Sequence, residues 1–420
     1  MQMNIEWKIL MNNFKIPKIR FMNFNDKWKY KILGEISSSI EYGLNASAKD
    51  FDGIHKYLRI TDIDDSSRLF LTDKLSSPDV NFTEENYENY KLQKNDLLFA
   101  RTGASVGKTY LYRESDGEVY YAGFLIRARL HDLFDGNFVF QQTLTDKYKQ
   151  FIEITSQRSG QPGVNGKEYG EWEVGMTSFH EQSAIGSLFC TLDDLLASYK
   201  DNLANYQSLK AAMLSKMFPK TGQTIPEIRL DGFEGEWEVV NLGTLIENYD
   251  EVISGTSGFP IATSSRKGLY LQNDYFEGGR TGIDLTLDFH RVPIGYVTYR
   301  HMSDDSIFKF NKNNFETDVL VSKEYPVFIN NDNSDIDFLL YHLNNSRLFL
   351  RFSTMQKLGG TRVRLYYKNL ITYKLAVPTV KEQQAIGAYF SNLDQLITSY
   401  QEKISQLETL KKKFLQDMFI

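Results

Sequence analysis

The chain has 420 residues, of which 41% are hydrophobic and 24% charged, and its formal net charge is −6. This length favours two domains, and the composition excludes a disordered chain and a protein that is basic throughout. The single cysteine, Cys190, excludes a disulfide framework and fits a cytoplasmic protein, while no signal peptide and no membrane-spanning run are found.

The first half of the chain is predicted to fold as a mixed α+β domain. An N-terminal tail covers residues 1–15. Alternating apolar residues then predict strands near residues 56–61 and 96–101, and residues 119–130 are rich in β-forming side chains. We expect this domain to cover residues 16–178, with Arg59 on its first predicted strand as a candidate nucleic-acid contact.

A glycine-rich loop, ARTGASVGK, occupies residues 100–108. It fits the nucleophile elbow of serine hydrolases, but that motif needs a following helix, and residues 108–113 are strand-like. It is also one residue shorter than a phosphate-binding P-loop. Its glycines allow a partner to approach the backbone closely, and it carries two cations. Its candidate nucleic-acid contacts are Arg101, Thr102, Gly103, Ser105 and Lys108.

A second loop, SGQPGVNG, occupies residues 159–166 and is flanked by cations. Arg158, Gln161 and Asn165 are its candidate DNA contacts, although such a loop is often only a turn. From residue 179 to 218 an apolar stripe that includes Ile185, Leu192 and Leu195 predicts one long helix of the coiled-coil type. A linker, residues 219–224, ends it. The alternative is an amphipathic helix packed on its own domain.

The second half of the chain repeats the first. Residues 181–190 (EQSAIGSLFC) match residues 382–391 (EQQAIGAYFS), and residues 16–20 (IPKIR) match residues 225–229 (IPEIR). Such repeats indicate a duplicated architecture. We therefore expect a second domain over residues 225–378 and a second long helix over residues 379–420. Because Glu181-Gln182 and Glu382-Gln383 begin the two helices, they are candidate contacts with two copies of one partner; helix capping is the alternative.

A basic stretch lies in the second domain, where residues 345–374 contain seven cations and no acid. Arginine can hold phosphates or read guanine edges bidentately. The alternative is a solvated helix face followed by a basic strand. Tyr299-Arg300-His301-Met302 takes the place of the glycine-rich loop in this half. The candidate DNA contacts are Arg300, Arg347, Arg351, Lys357, Arg362, Arg364 and Lys368.

No catalytic constellation is visible in the sequence. A nuclease would need clustered acids and a lysine, yet the Asp/Glu-x-Lys pattern occurs only at residues 6–8. An amino-methyltransferase would show an Asn/Asp-Pro-Pro-aromatic signature, and the chain has no Pro-Pro dipeptide. Its six histidines have no metal-ligand spacing. We therefore expect no enzyme activity, no metal and no cofactor in this chain.

The chain resembles the specificity subunits of type I restriction–modification systems over nearly its whole length. The resemblance rests on YLRITDI at residues 57–63, the loop at residues 100–108, the two EQ-x-AIG helix starts, and MFPK at residues 217–220. The second domain departs from the pattern because it lacks the Arg-Thr-Gly loop.

This resemblance implies an α+β fold with two similar mixed α/β target-recognition domains. Two long helices forming an antiparallel coiled coil would separate them, as a pseudo-twofold repeat. It implies sequence-specific reading of an asymmetric, bipartite target in double-stranded DNA. It also implies two methyltransferase subunits and restriction–translocation subunits as partners, which would bring S-adenosylmethionine, ATP and Mg²⁺. The alternative from another class is a coiled-coil scaffold with two protein-binding heads.

Overall fold

The computed structural model describes residues 16–157, 160–275, 284–357 and 362–420. The chain divides into two compact units: unit 1 contains Met1–Asp201 and Tyr400–Ile420, and unit 2 contains Asn202–Ser399. The predicted N-terminal tail, residues 1–15, lies outside the described residues. Within the described ranges, no helix is long and apolar enough to cross a membrane.

Unit 1 mixes short strands with helices. Its strands are β1 (Lys29–Ile32), β2 (Ser37–Tyr42), β3 (Ala48–Asp50), β4 (Lys56–Leu58), β5 (Ser76–Pro78), β6 (Asp96–Ala100), β7 (Thr109–Leu111), β8 (Val119–Tyr121), β9 (Leu125–Leu130) and β10 (Glu173–Met176). Its helices are α1 (Leu33–Ile36), α2 (Gly136–Gln142), α3 (Asp146–Thr155), α4 (Gly166–Gly170) and the part of α5 (Phe179–Lys216) up to Asp201. Single 3₁₀ turns cover Ile60–Asp62, Glu88–Tyr90, Gly103–Ser105 and Glu114–Asp116.

The centre of unit 1 is an antiparallel sheet with strand order β2-β9-β6-β7. Every residue of β6 is buried, as expected for an apolar run in the middle of a sheet. Trp28, Phe99, Phe138 and Phe189 lie in the main core on one side of this sheet. Smaller pairs are β1-β10, β3-β5 and the parallel pair β4-β8. The glycine-rich loop leads into strand β7, as its sequence predicts, and not into a helix.

Unit 2 is built in the same style. Its strands are β11 (Glu238–Asn241), β12 (Ile246–Tyr249), β13 (Val252–Ser254), β14 (Ala262–Ser265), β15 (Gly268–Leu271), β16 (Asp288–Val292), β17 (Val297–Thr298), β18 (Met302–Ser303), β19 (Asn311–Lys312), β20 (Val319–Ser322), β21 (Val327–Asn330), β22 (Val363–Arg364) and β23 (Lys374–Val377). Its helices are the remainder of α5, then α6 (Gln272–Tyr275), α7 (Ile336–Asn345), α8 (Arg347–Met355), α9 (Tyr367–Leu370) and the part of α10 (Val380–Asp417) up to Ser399; 3₁₀ turns cover Leu242–Thr244 and Gly255–Ser257.

Two antiparallel sheets organise unit 2, with strand orders β12-β21-β17-β19 and β13-β16-β20. Strand pairs β11-β23, β14-β15 and β18-β22 complete it. The sequence predicts one helical segment over residues 336–352, but the structure divides it into α7 and α8. The break is at Ser346, whose backbone is extended and whose hydroxyl accepts the N–H groups of Leu348 and Phe349. Ser346 is therefore the N-cap of a new helix.

The two long helices pack antiparallel within each unit. In unit 1, Asp193 and Lys200 of α5 form ion pairs with Lys411 and Glu408 of α10, so residue numbers rise along one helix as they fall along the other. In unit 2, Lys210 of α5 pairs with Asp394 of α10. This confirms the predicted antiparallel coiled-coil packing.

One detail of the predicted apolar stripe is wrong. The sequence pattern places Leu195 in the buried stripe of α5, yet it is 39% exposed, whereas its neighbour Leu196 is buried. A straight helix drifts by about 20° per seven residues relative to a strict heptad repeat. Two turns after Ile185 the buried face of α5 has shifted, so that after Leu192 the next buried position is Leu196 and not Leu195.

Candidate nucleic-acid interface

In unit 1 the structure joins the two predicted loops. The backbone N–H of Gly103 donates to the carbonyl of Pro162 at 3.0 Å, and the N–H of Val164 donates to the carbonyl of Arg101 at 2.9 Å. Thr102 and Gly163 form the bridge between them. Residues 101–105 and 160–165 are thus one continuous surface, which we call the paired loops of unit 1.

A left-handed backbone conformation explains the glycine at position 103 of this loop. Gly103 has φ +77°, a left-handed conformation that favours glycine, and a side chain added there would meet the amide nitrogen of Gln161 at 3.0 Å. Gln161 is exposed, while Thr102 and Ser105 are half-buried beside it. Glutamine can form two hydrogen bonds with an adenine edge. The paired loops therefore present an amide where a base could be read.

Arg101 is held by an aromatic ring that sequence reasoning missed. The guanidinium of Arg101 lies 5.2 Å from the centre of the Tyr42 ring, a cation–π arrangement. The Tyr42 hydroxyl in turn accepts the N–H of Gly166 at 3.0 Å. Tyr42 is 45% exposed at the end of β2. An exposed aromatic residue at a strand end was the available signal, but nothing in the sequence relates it to Arg101.

Three candidates of unit 1 have internal roles. Lys108 is buried, and its Nζ lies 2.6 Å from the Asp65 carboxylate and 3.3 Å from the Ile60 carbonyl. Its contact with DNA stays a prediction. The Asn165 oxygen caps α4 by accepting the N–H of Glu168 at 3.0 Å. Its predicted base contact therefore loses its acceptor.

Arg59 is the third. Its guanidinium donates two hydrogen bonds to Asp62, each 2.8 Å, and this bonding raises the pKa of Arg59 further. The Arg59 side chain is still 40% exposed. A contact with DNA would have to compete with Asp62. Arg158, predicted beside these residues, lies outside the described residues.

Unit 2 repeats the loop pairing with different side chains. The N–H of Leu365 donates to the carbonyl of His301 at 2.8 Å, as Val164 does to Arg101 in unit 1, and Met302 is paired with Arg364. By this register Arg364 stands where unit 1 has Gly163. Arg362 likewise stands where unit 1 has Gln161, and His301 where it has Arg101.

Exposed cations surround this second pairing. Arg300, Arg362, Arg364 and Lys368 are all exposed, as a nucleic-acid surface requires. Arg362 donates to the Asp304 carboxylate at 2.8 Å, but both side chains are more than half exposed, and such surface pairs contribute about 0–1 kcal/mol. We call residues 300–304 and 362–368 the paired loops of unit 2.

A buried histidine supports these loops. His301 is stacked on the ring of Tyr366, with 5.5 Å between ring centres. Burial lowers the pKa of His301, and the nearby charges of Arg364 and Arg300 lower it further. The ring is therefore neutral at physiological pH. Like the ring of Tyr42 in unit 1, the half-exposed ring of Tyr366 offers an aromatic face beside the cations.

The remaining predicted cations of unit 2 lie elsewhere in it. Arg347 and Arg351 are one turn apart on α8 and line a groove of about 590 Å³ with the end of α5 around Phe218. Lys357 is exposed just beyond α8. The basic stretch of the sequence is therefore divided between this groove and the paired loops of unit 2.

The four predicted partner contacts are buried inside their own units, and their contact with a partner stays a prediction. Glu181 accepts hydrogen bonds from Arg20 at 2.6 and 2.7 Å and from the Trp28 indole at 3.2 Å. Glu382 accepts two from Arg229 at 2.7 and 2.6 Å. Neither carboxylate is more than 1% exposed. These pairs fasten the IPxIR segment of each repeat to the start of its long helix.

The two glutamines have the same kind of role. Gln182 accepts the N–H of Asp135 and donates to the Thr177 carbonyl at 2.7 Å. Gln383 makes the equivalent bonds with Asp335 and Pro378. Each glutamine is at most 2% exposed. The repeated Glu-Gln pair is thus explained by packing inside each unit. Sequence reasoning missed Arg20 and Arg229, although both lie in the repeated IPxIR segment.

Residues 260–409 match the family model of the type I restriction modification DNA specificity domain. The chain is 23% identical over 434 aligned positions to the MjaX type I restriction enzyme specificity subunit of Methanocaldococcus jannaschii, covering 96% of this chain and 95% of that protein. It is 20% identical to the MjaVIII specificity subunit of the same organism, with 96% and 94% coverage. The chain is therefore similar to type I restriction–modification specificity subunits over nearly its whole length.

The fold of this chain is also found in a solved structure. The type I restriction–modification S subunit from M. genitalium superposes with a TM-score of 0.60 at 14% identity, covering 96% of this chain and 99% of that one. The likeness extends over both units. The fold that carries the paired loops is therefore similar to the fold of that S subunit.

Among the described residues, no three or more His, Cys, Asp or Glu side chains are placed to hold a metal ion together.

Proposed function

We propose that this chain is a specificity subunit that reads an asymmetric, bipartite target in double-stranded DNA, with the paired loops of each unit contacting one half-site. The observation that carries the proposal is the common loop pairing with unlike side chains. Unit 1 presents Arg101 and Gln161, and unit 2 presents Arg362 and Arg364. Glutamine suits adenine edges and arginine suits guanine edges, so the half-sites should differ.

The subunit is proposed to do no chemistry itself. Two methyltransferase subunits and the restriction–translocation subunits would act on the DNA that it selects, with S-adenosylmethionine, ATP and Mg²⁺ bound by those partners in the cytoplasm. The similarity to specificity subunits supports this division of labour. The purified chain should neither methylate nor cleave DNA, and activity that survives removal of partners and disappears on a point mutation here would refute this.

Exchange of one unit's reading domain tests the assignment of half-sites. Residues 16–178 would be replaced by the equivalent segment of a related specificity subunit, and genomic methylation would be mapped in cells that contain the partner subunits. One half of the methylated motif should change while the other stays the same. The reciprocal exchange of residues 225–378 is the matched control and should change the other half. A motif that changes in both halves after either exchange would contradict the assignment.

A further inference from the structure

A lysine-lined cleft of about 530 Å³ lies within unit 2, between α7, the β14–β15 hairpin and the long helices. Its lining contains four lysines and two aspartates. Lys210 is paired with Asp394, and Lys312 is paired with Asp337 at 2.9 and 3.0 Å. The two acids of the lining are therefore both engaged, while the cleft holds two further lysines, of which Lys309 is the deeper.

Lys309 is half-buried, and among the described residues no side chain or carbonyl accepts a hydrogen bond from its ammonium group. Burial and the nearby positive charge of Lys210 lower the pKa of Lys309, and they outweigh the opposite effect of the Asp394 carboxylate, which is itself paired with Lys210. Placing an ammonium group partly out of water without an acceptor is unfavourable. An anionic group in the cleft would remove that cost.

Strand register identifies the residue of unit 1 that is equivalent to Lys309. In unit 1, Leu97 is paired with Leu111; in unit 2, Val297 is paired with Lys312. Because Arg101 and His301 are equivalent, Leu97 and Val297, each four residues earlier, are equivalent too. Their strand partners Leu111 and Lys312 therefore correspond, and in each unit the residue three positions before that partner is a lysine. Lys108 and Lys309 are therefore equivalent.

The lysine of unit 1 already has a carboxylate. Lys108 lies 2.6 Å from Asp65, which is carried on a tight turn closed by the bond from the Asp64 N–H to the Leu69 carbonyl at 2.9 Å. Unit 2 has the lysine, but the two aspartates of its cleft are already paired with Lys210 and Lys312. The group that pairs with this lysine in unit 1 is thus an aspartate on a short peptide turn.

We propose that the cleft around Lys309 binds an acidic peptide segment of a partner protein, with a carboxylate pairing with Lys309 as Asp65 pairs with Lys108. The aromatic side chains of Tyr270, Phe315 and Tyr341 line the same cleft and give a peptide apolar surface to pack on. Lys267 supplies a second cation at the rim. These features suit a polypeptide better than a bare inorganic anion.

A labelled hexaglutamate peptide tests the proposal with the full-length chain, by fluorescence anisotropy at low ionic strength. Lys309→Met should weaken binding at least about tenfold, since methionine cannot form the charge-assisted hydrogen bond. The matched control is Lys323→Met, because Lys323 is exposed, pairs with Asp288 and lies outside the cleft. This control should bind like the wild type. Binding by Lys309→Met within twofold of the wild type would overturn the proposal.

A second measurement on the unmodified sequence guards against misfolding of the variant. Acetylation of each lysine by a limiting amine reagent is followed by mass spectrometry with and without saturating peptide. The peptide should slow acetylation of Lys309 and leave Lys323 unchanged. Equal acetylation of Lys309 in both samples, or displacement of the peptide by inorganic phosphate at equal concentration, would reject a peptide site. Neither readout involves DNA, so the outcome is independent of the proposed function.

Discussion

The buried pair of Arg20 and Glu181 gives the sharpest prediction about stability. Arg20 is 3% exposed and Glu181 is fully buried, and both carboxylate oxygens are occupied by hydrogen bonds. Replacing Arg20 by Met keeps most of the side-chain volume but removes two charge-assisted bonds. The carboxylate would remain buried, with the Trp28 indole and the Thr177 hydroxyl as its remaining donors.

The expected cost follows from that environment. Breaking a buried ion pair from one side costs about 3–5 kcal/mol, because the remaining charge is uncompensated. Because two hydrogen-bond donors remain, we expect Arg20→Met to lower the stability of unit 1 by about 3 kcal/mol, at the lower end of this range. At about 1.4 kcal/mol per factor of ten, this is roughly a hundredfold change in the local opening equilibrium. The double variant Arg20→Met, Glu181→Leu should recover most of the loss, because an apolar pair of similar size carries no buried charge.

Native-state hydrogen exchange with mass spectrometry is the appropriate assay, since a chain of two units need not unfold in one step. Arg20→Met should accelerate exchange in peptides of unit 1, around β1, β10 and the start of α5. Lys149→Met is the matched control. Its ion pair with Asp146 is exposed on both sides and should contribute less than about 1 kcal/mol.

Two results would refute this reasoning. Arg20→Met could change exchange no more than Lys149→Met does, which would mean that the buried pair is not a stabilising link. The double variant could instead be as unstable as the single one, which would mean that burial of an unpaired carboxylate is not the cause.

Other outcomes follow from the two sets of paired loops and from a second buried histidine, His342 on α7. In the double variant Arg362→Ala, Arg364→Ala, the plot of log DNA-binding constant against log salt concentration should become less steep, by about 0.9 for each phosphate that is no longer bound. An unchanged slope across a salt titration would place both residues outside the interface. Gly103→Ala should weaken DNA binding while the chain stays folded, because its left-handed backbone and the close Gln161 amide resist a side chain; wild-type affinity in a mobility-shift assay would count against this. Burial lowers the pKa of His342 to about 4, below its unfolded value of about 6.5. Between these two pH values the unfolded chain binds a proton that the folded chain does not. The free energy of unfolding of unit 2 should therefore fall by up to about 3 kcal/mol as the pH falls from about 6.5 to 4. His342→Asn should flatten that dependence in urea titrations at pH 7 and 5, whereas variants of the exposed His180 should not.

Local patterns in the sequence were sufficient for the long helices and for several strands. The predicted segment 179–218 agrees closely with α5, because an uninterrupted apolar stripe without proline has few other solutions. Strand β6 was predicted from the strand-like alternation of residues 96–101. The division between α7 and α8 was not, because Ser346 is one polar residue in an otherwise helical pattern, and its capping role depends on backbone geometry.

The site was harder to predict, because an unpaired cation and a paired one look alike in a sequence. Lys108 is followed by strand residues, and its acid, Asp65, lies far earlier in the chain. Glu181 and Arg20 are separated by 161 positions, so their pairing could not be inferred from either repeat alone. Arg59 did carry a signal, since Asp62 is three residues away and could reach it. The pairing of the two loops of unit 1 was equally inaccessible, because it depends on which strands become neighbours.

The long helices have a consequence for synthesis of the protein. Phe414, Met418 and Phe419 lie in the main core of unit 1, together with Trp28 and other residues of the first half. All of unit 2, residues 202–399, is translated between these two parts of the core. At about 5–20 residues per second, the ribosome needs on the order of 10–40 s for that stretch. During this time the last core side chains of unit 1 have not been made, so we expect its apolar surface to stay accessible to chaperones and proteases until unit 2 has been translated.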